Sequence, residues 1–474
     1  MSRVERDFLG EVEVPIEALF GSFTARARAN FQISGLTIGP ELITALAEVK
    51  IAAVRANAKL GLLEAKLADA IEVAAKEVAE GKHADQFPLD VFQAGAGTPW
   101  NMNINEVVSN LANLAFGRAL GSYSPVHPND HVNMSQSSND TVPTAMRVAA
   151  LRLGSSLDSE LIRLERRLER ESTVFADVLK SGRTHQRDAV PITFGQELHA
   201  YASAVRGARL GLQTAEGLLR RVPLGGTAVG TGVNTHPHYI DLALEALSEV
   251  TRLDLVAVED TPASLQFFGD ILSYVDALAT LAATLIKIDN DLMLLSSGPA
   301  TGLGEVTIPA VEPGSSIMPG KVNPSILECV NMVCFQVLSA RATVEAASMH
   351  GSLELNVYTP VIAFNLLNAQ KWMTSAVSTL TDRCVAGLGV ERKVTDYYFE
   401  HSNAFATLLS PVIGYEAAAE LAREATQKGE TVWKLAVEKG LVTETELDEL
   451  IKSSTEPNLG VVDKLRKARQ KNPK

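Results

Sequence analysis

The sequence predicts an all-α protein whose centre is a bundle of long helices, and three observations carry that expectation. Hydrophobic residues make up 46% of the 474 positions and aromatics only 5%, so the contacts are chiefly aliphatic, as in helix-rich soluble proteins. Leu157, Leu161, Leu164, Leu168, Phe175 and Val178 recur at spacings of four and three, with a seven in the middle. Arg163, Glu165, Arg166 and Glu169 fall between them, the pattern of a bundle helix with one packed seam. No stretch shows the sustained alternation of a half-buried strand.

Residues 1–39 lack periodicity and are expected to run over the surface. Pro40 suits the first position of a helix over 41–60. Gly61 breaks the chain before a second run to Glu80, which Gly81 ends. Pro88, Gly95, Gly97 and Pro99 mark 82–105 as a loop ahead of a helix from about Asn105 to Leu120. From Thr141 long helices are expected, including 190–221, 238–251, 261–297, 323–349 and 360–389. Short ones follow near 413–427, 430–439 and 443–452. The length suits about three domains: a mostly helical 1–139, a central long-helix bundle 140–394, and a small helical 395–474.

Charge and cysteine usage exclude several classes. A formal net charge of −13 argues against a nucleic-acid partner. Cys329, Cys334 and Cys384 form no CxxC pair, so neither a disulfide framework nor a structural zinc is expected. The start MSRVERDF lacks an apolar core, so no signal peptide is expected. Asp270, Asp276 and Lys287 interrupt the apolar run 265–288, which reads as a buried helix rather than a membrane span. The basic run 464–474 reads as solvated. A cytoplasmic, reducing environment follows.

Chemistry belongs in the polar stretches between the helices. GSSIMPGKVNP (314–324) sets a lysine and an asparagine beside serines, between residues that break regular structure. That set suits a small anion held beside a nucleophile or base. Ser137, Ser138, Asn139, Asp140 and Thr141 precede a helix with Pro143 in its first turn, where either capping or carboxylate binding fits. GRTHQRDAVP (182–191) offers Thr184 and His185. GGTAVGTG (225–232) follows a helical rather than a strand pattern, which argues against nucleotide binding.

Taken in order, DFLGEVEVP, DQFPLDVFQAGAGT, NMNINEV, HPNDHVNMSQSSNDTVPTAM, GRTH with DAVP, LGGTAVGTGVNTHP, LGE, GSSIMPGKVNP and LNVYTPVIAFNLL cover nearly the whole chain. Together they resemble the aspartase/fumarase superfamily, whose members eliminate a group from succinyl substrates to give fumarate. The resemblance implies a three-part helical chain and a homotetramer with a twenty-helix core. It also implies active sites shared by three subunits and a small dicarboxylate substrate. No cofactor and no metal are expected.

By the same resemblance Ser315 is the base that removes the Cβ proton as an alkoxide, which demands nearby N–H donors and a closing loop. Ser316, Lys321 and Asn323 match ligands of one carboxylate. Thr98, Ser137, Ser138 and Asn139 match donors around the other carboxylate and the Cα substituent. Thr184 and His185 face the leaving group, and Glu328 matches a glutamate that partners the histidine. His127, Asn129 and Asp130 resemble a secondary dicarboxylate site, with an ordinary loop cap as the other reading.

Ser138, Gly226, Thr235, His236 and Gly320 side with fumarases; Ala96, His131 and the run NMVCFQV side with aspartases. The tally favours hydration of fumarate to malate, with elimination of ammonia from aspartate as the alternative. Several positions depart from both groups. Pro99-Trp100 follows Thr98, Gln186-Arg187 follows His185 where leucine and glutamine are usual, Ala300-Thr301 replaces an arginine-led pair, and Thr359 replaces a charged residue. Trp100, Gln186 and Arg187 are therefore candidates for substrate choice among substituted succinates, with neutral change in residues behind the site and Trp100 packing on a neighbouring subunit as the plainer account. Since every matched position is filled, a silent scaffold is disfavoured.

Overall fold

The computed structural model describes residues 1–471; the last three residues of the basic run 464–474 lie outside them. Residues 1–39 are more ordered than their sequence suggests. β1 (Ser2–Asp7) and β2 (Gly10–Pro15) form an antiparallel hairpin, followed by α1 (Ser22–Asn30). α1 has no side-chain cap of its own. Instead the buried Glu106 carboxylate accepts from the N–H groups of Gly21, Phe23 and Thr24 at 2.9, 2.8 and 3.2 Å, which satisfies the orphan donors of its first turn. These long-range anchors leave no local periodicity to read.

α2 (Pro40–Lys59) begins with proline at its first position, as expected, and α3 (Ala65–Ala79) follows. α4 (Thr98–Ala115) starts seven residues earlier than the expected Asn105 and stops short of Leu120. Pro99 opens it rather than excluding it, since its missing N–H falls where no helical bond is needed. The asparagines of NMNINEV therefore lie inside the helix and are buried.

α5 (Ser138–Val174), α6 (Phe194–Leu219), α9 (Gly269–Leu295), α10 (Ser325–Met349) and α11 (Thr359–Arg383) are the long helices. α7 (Tyr239–Thr251) and α8 (Thr261–Gln266) intervene, so the expected helix 261–297 is two helices. The segment read as a loop before 190 is a hairpin of β3 (Leu179–Thr184) and β4 (Arg187–Thr193). Two further pairings are tiny: β5 (Arg221–Val222) with β6 (Val256–Ala257), and β7 (Val306–Thr307) with β8 (Gly389–Val390). The chain is thus mainly helical, with hairpins where loops were expected.

Two compact units are present. The first comprises Met1–Ser159, Ala208–Ala283 and Val333–Ser375; the second comprises Glu160–Gly207, Thr284–Met332 and the chain from Ala376. Each of the five long helices gives one segment to each unit. In the first, Arg147 of α5 donates to both oxygens of Asp270 on α9 at 2.7 and 3.1 Å. Gln370 of α11 donates to the Ala150 carbonyl of α5 and the Tyr274 hydroxyl of α9 at 2.8 and 2.9 Å. In the second, Arg206 of α6 bridges Glu165 and Glu169 of α5 at 2.7 and 2.9 Å, and Tyr201 of α6 donates to Asp291 of α9 at 2.8 Å. Helix α9 is long and apolar enough to cross a membrane by length and composition. Its Leu278, Leu281, Leu285, Ile288 and Leu292 are nonetheless buried within the chain.

The C-terminal helices are α12 (Arg392–His401), α13 (Ala406–Ile413), α14 (Tyr415–Lys428), α15 (Val432–Glu438), α16 (Glu444–Lys452) and α17 (Leu459–Lys471). Phe405, Leu409, Leu421, Leu435, Leu450 and Leu465 belong to a separate hydrophobic core there. α16 opens on a capping box, with Thr443 and Glu446 bonded reciprocally.

Candidate active site

The stretch 314–324 leads into α10 and is closed by its own backbone. The Gly314 N–H donates to the Lys321 carbonyl at 2.8 Å, and the Asn323 amide donates to the Gly314 carbonyl at 2.6 Å. A Cβ on Gly314 would lie 2.6 Å from the Lys321 oxygen and 2.7 Å from the Asn323 nitrogen, so the closure requires glycine. Inside this ring the Ser315 Oγ accepts from the N–H groups of Ile317 and Met318 at 3.2 and 3.0 Å. Two donors aimed at one hydroxyl oxygen favour its anionic form. Ser316 and Lys321 are exposed on the same loop. Asn323, expected as a carboxylate ligand, directs one of its two N–H groups inward, which leaves the other available.

His185 sits at the tip of the β3–β4 hairpin. Thr184 pairs with Arg187, leaving His185 and Gln186 as a two-residue turn with φ of 55° and 57°. Such a turn normally takes Asn-Gly, because both central residues must be left-handed. Two ordinary residues there mark strain of the kind that collects at functional sites. One pair below the turn, Arg183 is held by the fully buried Glu305 at 2.7 and 3.1 Å; at the base of the hairpin Lys180 pairs with Glu197 at 2.9 Å. Thr184 and Gln186 border a cleft of about 1020 Å³ that also meets Lys287, Asp291 and residues 454–457.

Within the single chain no hydrogen bond or ion pair joins His185 and Glu328 among the described residues, and both are exposed. One sits at a hairpin tip and the other on the first turn of α10, so each presents its group outward.

A separate cluster lies in the first unit. The Thr98 and Ser138 hydroxyls are 2.9 Å apart, at the starts of α4 and α5. The Asn139 N–H donates to Ser137 Oγ at 3.2 Å, and its side-chain amide donates to the Ala228 carbonyl at 2.7 Å. Asp140 holds this loop. Its fully buried carboxylate accepts from the N–H groups of Ser137, Gly225 and Thr227 at 2.9, 3.0 and 2.9 Å. Burial pushes its pKa up to about 6, against the pull of those three donors. The glycine-rich stretch 225–232 is therefore a support for residues 137–139.

The structure places the remaining candidates as follows. His127 caps the π-helical turn Pro128–Val132, its Nδ1 accepting from the N–H groups of Asn129 and Asp130 at 3.3 and 3.2 Å. Trp100 is 3% exposed and borders a void of about 20 Å³ with Val91, Phe364 and Leu367. It packs inside its own chain, so an effect on substrate would act through the start of α4. Gln186 and Arg187 are exposed at the hairpin tip.

Three groups of candidates thus emerge: Thr98 with Ser137–Asn139 in the first unit, and the Thr184–Arg187 turn and the 314–324 loop in the second. Sequence reading placed Asp140 only among capping or carboxylate-binding candidates and gave Glu305 no role. Asp140 was visible in SSND and Glu305 in LGE, but nothing local shows that these carboxylates receive distant N–H groups and a guanidinium.

Comparison with known proteins identifies relatives over the whole length. A family model described as lyase matches residues 10–339, and one described as fumarase C C-terminus matches 405–455. A class II fumarate hydratase of Neisseria meningitidis is 45% identical over 95% of this chain and 98% of its own. An aspartate ammonia-lyase of a Bacillus species is 42% identical over 95% of this chain and 96% of its own. Among solved structures, the fumarate lyase:delta crystallin of Brucella melitensis superposes with a TM-score of 0.92 at 43% identity, covering 99% of this chain and 100% of its own. The class II fumarase of Schistosoma mansoni gives 0.92 at 37% identity, covering 96% and 100%.

Proposed function

The chain belongs to the aspartase/fumarase superfamily of lyases, and from that premise we propose that it catalyses the reversible anti addition of water to fumarate, giving L-malate. The observation that carries this reading is the Ser315 hydroxyl oxygen, held by two backbone N–H groups. In the elimination direction the Ser315 alkoxide takes a proton from Cβ. The electron pair of that C–H bond spreads into the adjacent carboxylate, then forms the double bond as hydroxide leaves Cα. Ser316, Lys321 and Asn323 hold the carboxylate that gains charge. Thr98, Ser137, Ser138 and Asn139 hold the other end, and His185, supported by Glu328, protonates the departing hydroxide directly or through water.

The choice of water draws on Ser138 and Gly320 and on the relative named class II fumarate hydratase at 45% identity. Loss of ammonia from aspartate is the second reading, drawing on the relative named aspartate ammonia-lyase at 42%. Gln186 and Arg187, exposed on the His185 turn, are the residues by which a substituted succinate would be chosen instead.

A homotetramer with each site built from three subunits is part of the proposal. Helix α10 leaves Met332 and Phe335 63% and 56% exposed on the single chain, and large apolar side chains left open in this way suit burial against another copy. Three free cysteines support a cytoplasmic location. The test is fumarate's ultraviolet absorbance. A rise with L-malate and none with aspartate is expected; a rise with aspartate alone overturns the hydratase assignment, and silence with both overturns the lyase activity.

A further inference from the structure

A buried cation lies behind the Thr98–Ser138 cluster. Lys50 stands in the apolar run AEVKIAAV of α2, and its side chain is fully buried. Its Nζ is 2.6 Å from Asn101 Oδ1, 2.8 Å from Gln136 Oε1 and 3.2 Å from Asn133 Oδ1. A lysine ammonium has three N–H donors and no acceptor, so three oxygens take them all. The amides cannot turn to offer nitrogen instead. Gln136 Nε2 donates to the carbonyls of Val132 and Met134 at 3.0 and 3.1 Å. Asn133 Nδ2 donates to the Gln136 carbonyl at 3.2 Å, and Asn101 Nδ2 donates to Asn133 Oδ1 at 3.0 Å. Flipping any of them would oppose donor to donor or acceptor to acceptor. Burial pulls the Lys50 pKa down to about 7, but a neutral amine would leave one of the three oxygens without its donor.

The three acceptors are not arbitrary. Asn101 is three residues beyond Thr98 on α4, and Gln136 directly precedes Ser137. Thr141 Oγ1, in the first turn of α5, lies 2.8 Å from the Ser137 carbonyl and 3.2 Å from Asn101 Oδ1, between which its one proton is shared. One ammonium therefore joins both segments that carry the substrate-facing hydroxyls. Lys50 touches neither hydroxyl itself.

We propose that protonated Lys50 is a positioning residue: through Asn101 and Gln136 it fixes the separation of the Thr98 and Ser138 hydroxyls, and so the grip on the dicarboxylate. The proposal rests on the dicarboxylate reading of the site. A buried cation here orients the residues beside the groups that touch substrate, so its loss is expected to reach binding.

The experiment is calorimetric binding of succinate, which needs no turnover, to the wild-type protein and to Lys50→Met, with thermal melts of both. Lys50→Met is expected to weaken succinate binding about tenfold or more while remaining folded at the temperature used. Gln136→Leu removes one acceptor and keeps the lysine. It is expected to weaken binding in the same direction by a smaller factor, and it serves if Lys50→Met does not fold. Unchanged succinate affinity in either folded variant overturns the role of Lys50. A wild-type protein that binds no succinate overturns the dicarboxylate reading instead.

Discussion

The loop 314–324 and the loop 137–139 are built on opposite plans. The first is exposed and holds itself together through short-range bonds between its own residues. The second stands on buried charge, with Asp140 collecting three N–H groups from two segments and Lys50 tying in two more. A part that must close over substrate benefits from few outside bonds, because each would have to break when it moves. A part that must already match a carboxylate benefits from many, because ordering it during the reaction would raise the barrier. On the proposed mechanism the first loop carries the chemistry and the second the affinity.

Ser315→Ala is the sharpest way to break that assignment. It removes the proposed base and nothing buried, so kcat is expected to fall by about 10²–10⁴-fold or more with the melting temperature unchanged. Steady-state kinetics beside a thermal melt would check it, and an active Ser315→Ala enzyme would remove the alkoxide from the mechanism. Asp140→Ala should show the opposite balance. It strands two buried N–H groups and a half-buried third, each buried one costing roughly 1–3 kcal/mol when unsatisfied, so a loss of several kcal/mol in denaturant unfolding is expected along with a raised KM. A large kcat loss at unchanged stability would show that residues 137–140 act in the chemistry instead.

Gly314→Ala is a gentler probe of the exposed loop. The added methyl meets the Lys321 carbonyl at 2.6 Å, so the ring must open and the two donors to Ser315 lose their aim. A fall in kcat of about tenfold to a hundredfold is expected, with stability nearly intact. Equal kcat in wild type and variant would mean that the ring does not organise Ser315.

The sequence reveals these two plans unequally. GSSIMPGKVNP is legible because its chemistry is local: Asn323 bonds Gly314 nine residues away, and Ser315 bonds Ile317 and Met318 within three. The long helices are legible for the same reason, since their periodicity repeats every turn. The supports of 137–139 are not. Asp140 reaches residues 85 and 87 positions away, and Lys50 reaches 51 and 86, and no pattern within a window of residues encodes such distances. The β3–β4 hairpin was hidden for a third reason. Its turn is His185-Gln186 rather than the glycine pair that would announce it, so the strain that marks the site also masked the fold.

A second buried carboxylate extends the comparison. Asp289 on α9 is as inaccessible as Asp140, yet neither of its oxygens has a hydrogen-bond partner among the described residues. Burial alone pushes its pKa up to about 8, so near neutrality it is held as the neutral acid. From about pH 4, where the unfolded group titrates, to about pH 8, the folded state keeps a proton that the unfolded chain has lost. Stability contributed by this group is therefore full below that window and falls as pH rises, by about 1.4 kcal/mol per unit. Asp289→Asn has the same shape and cannot ionise. Its melting temperature is expected to match wild type at or below about pH 4 and exceed it at pH 8, whereas parallel profiles for the two proteins would mean that Asp289 is ionised and paired in solution.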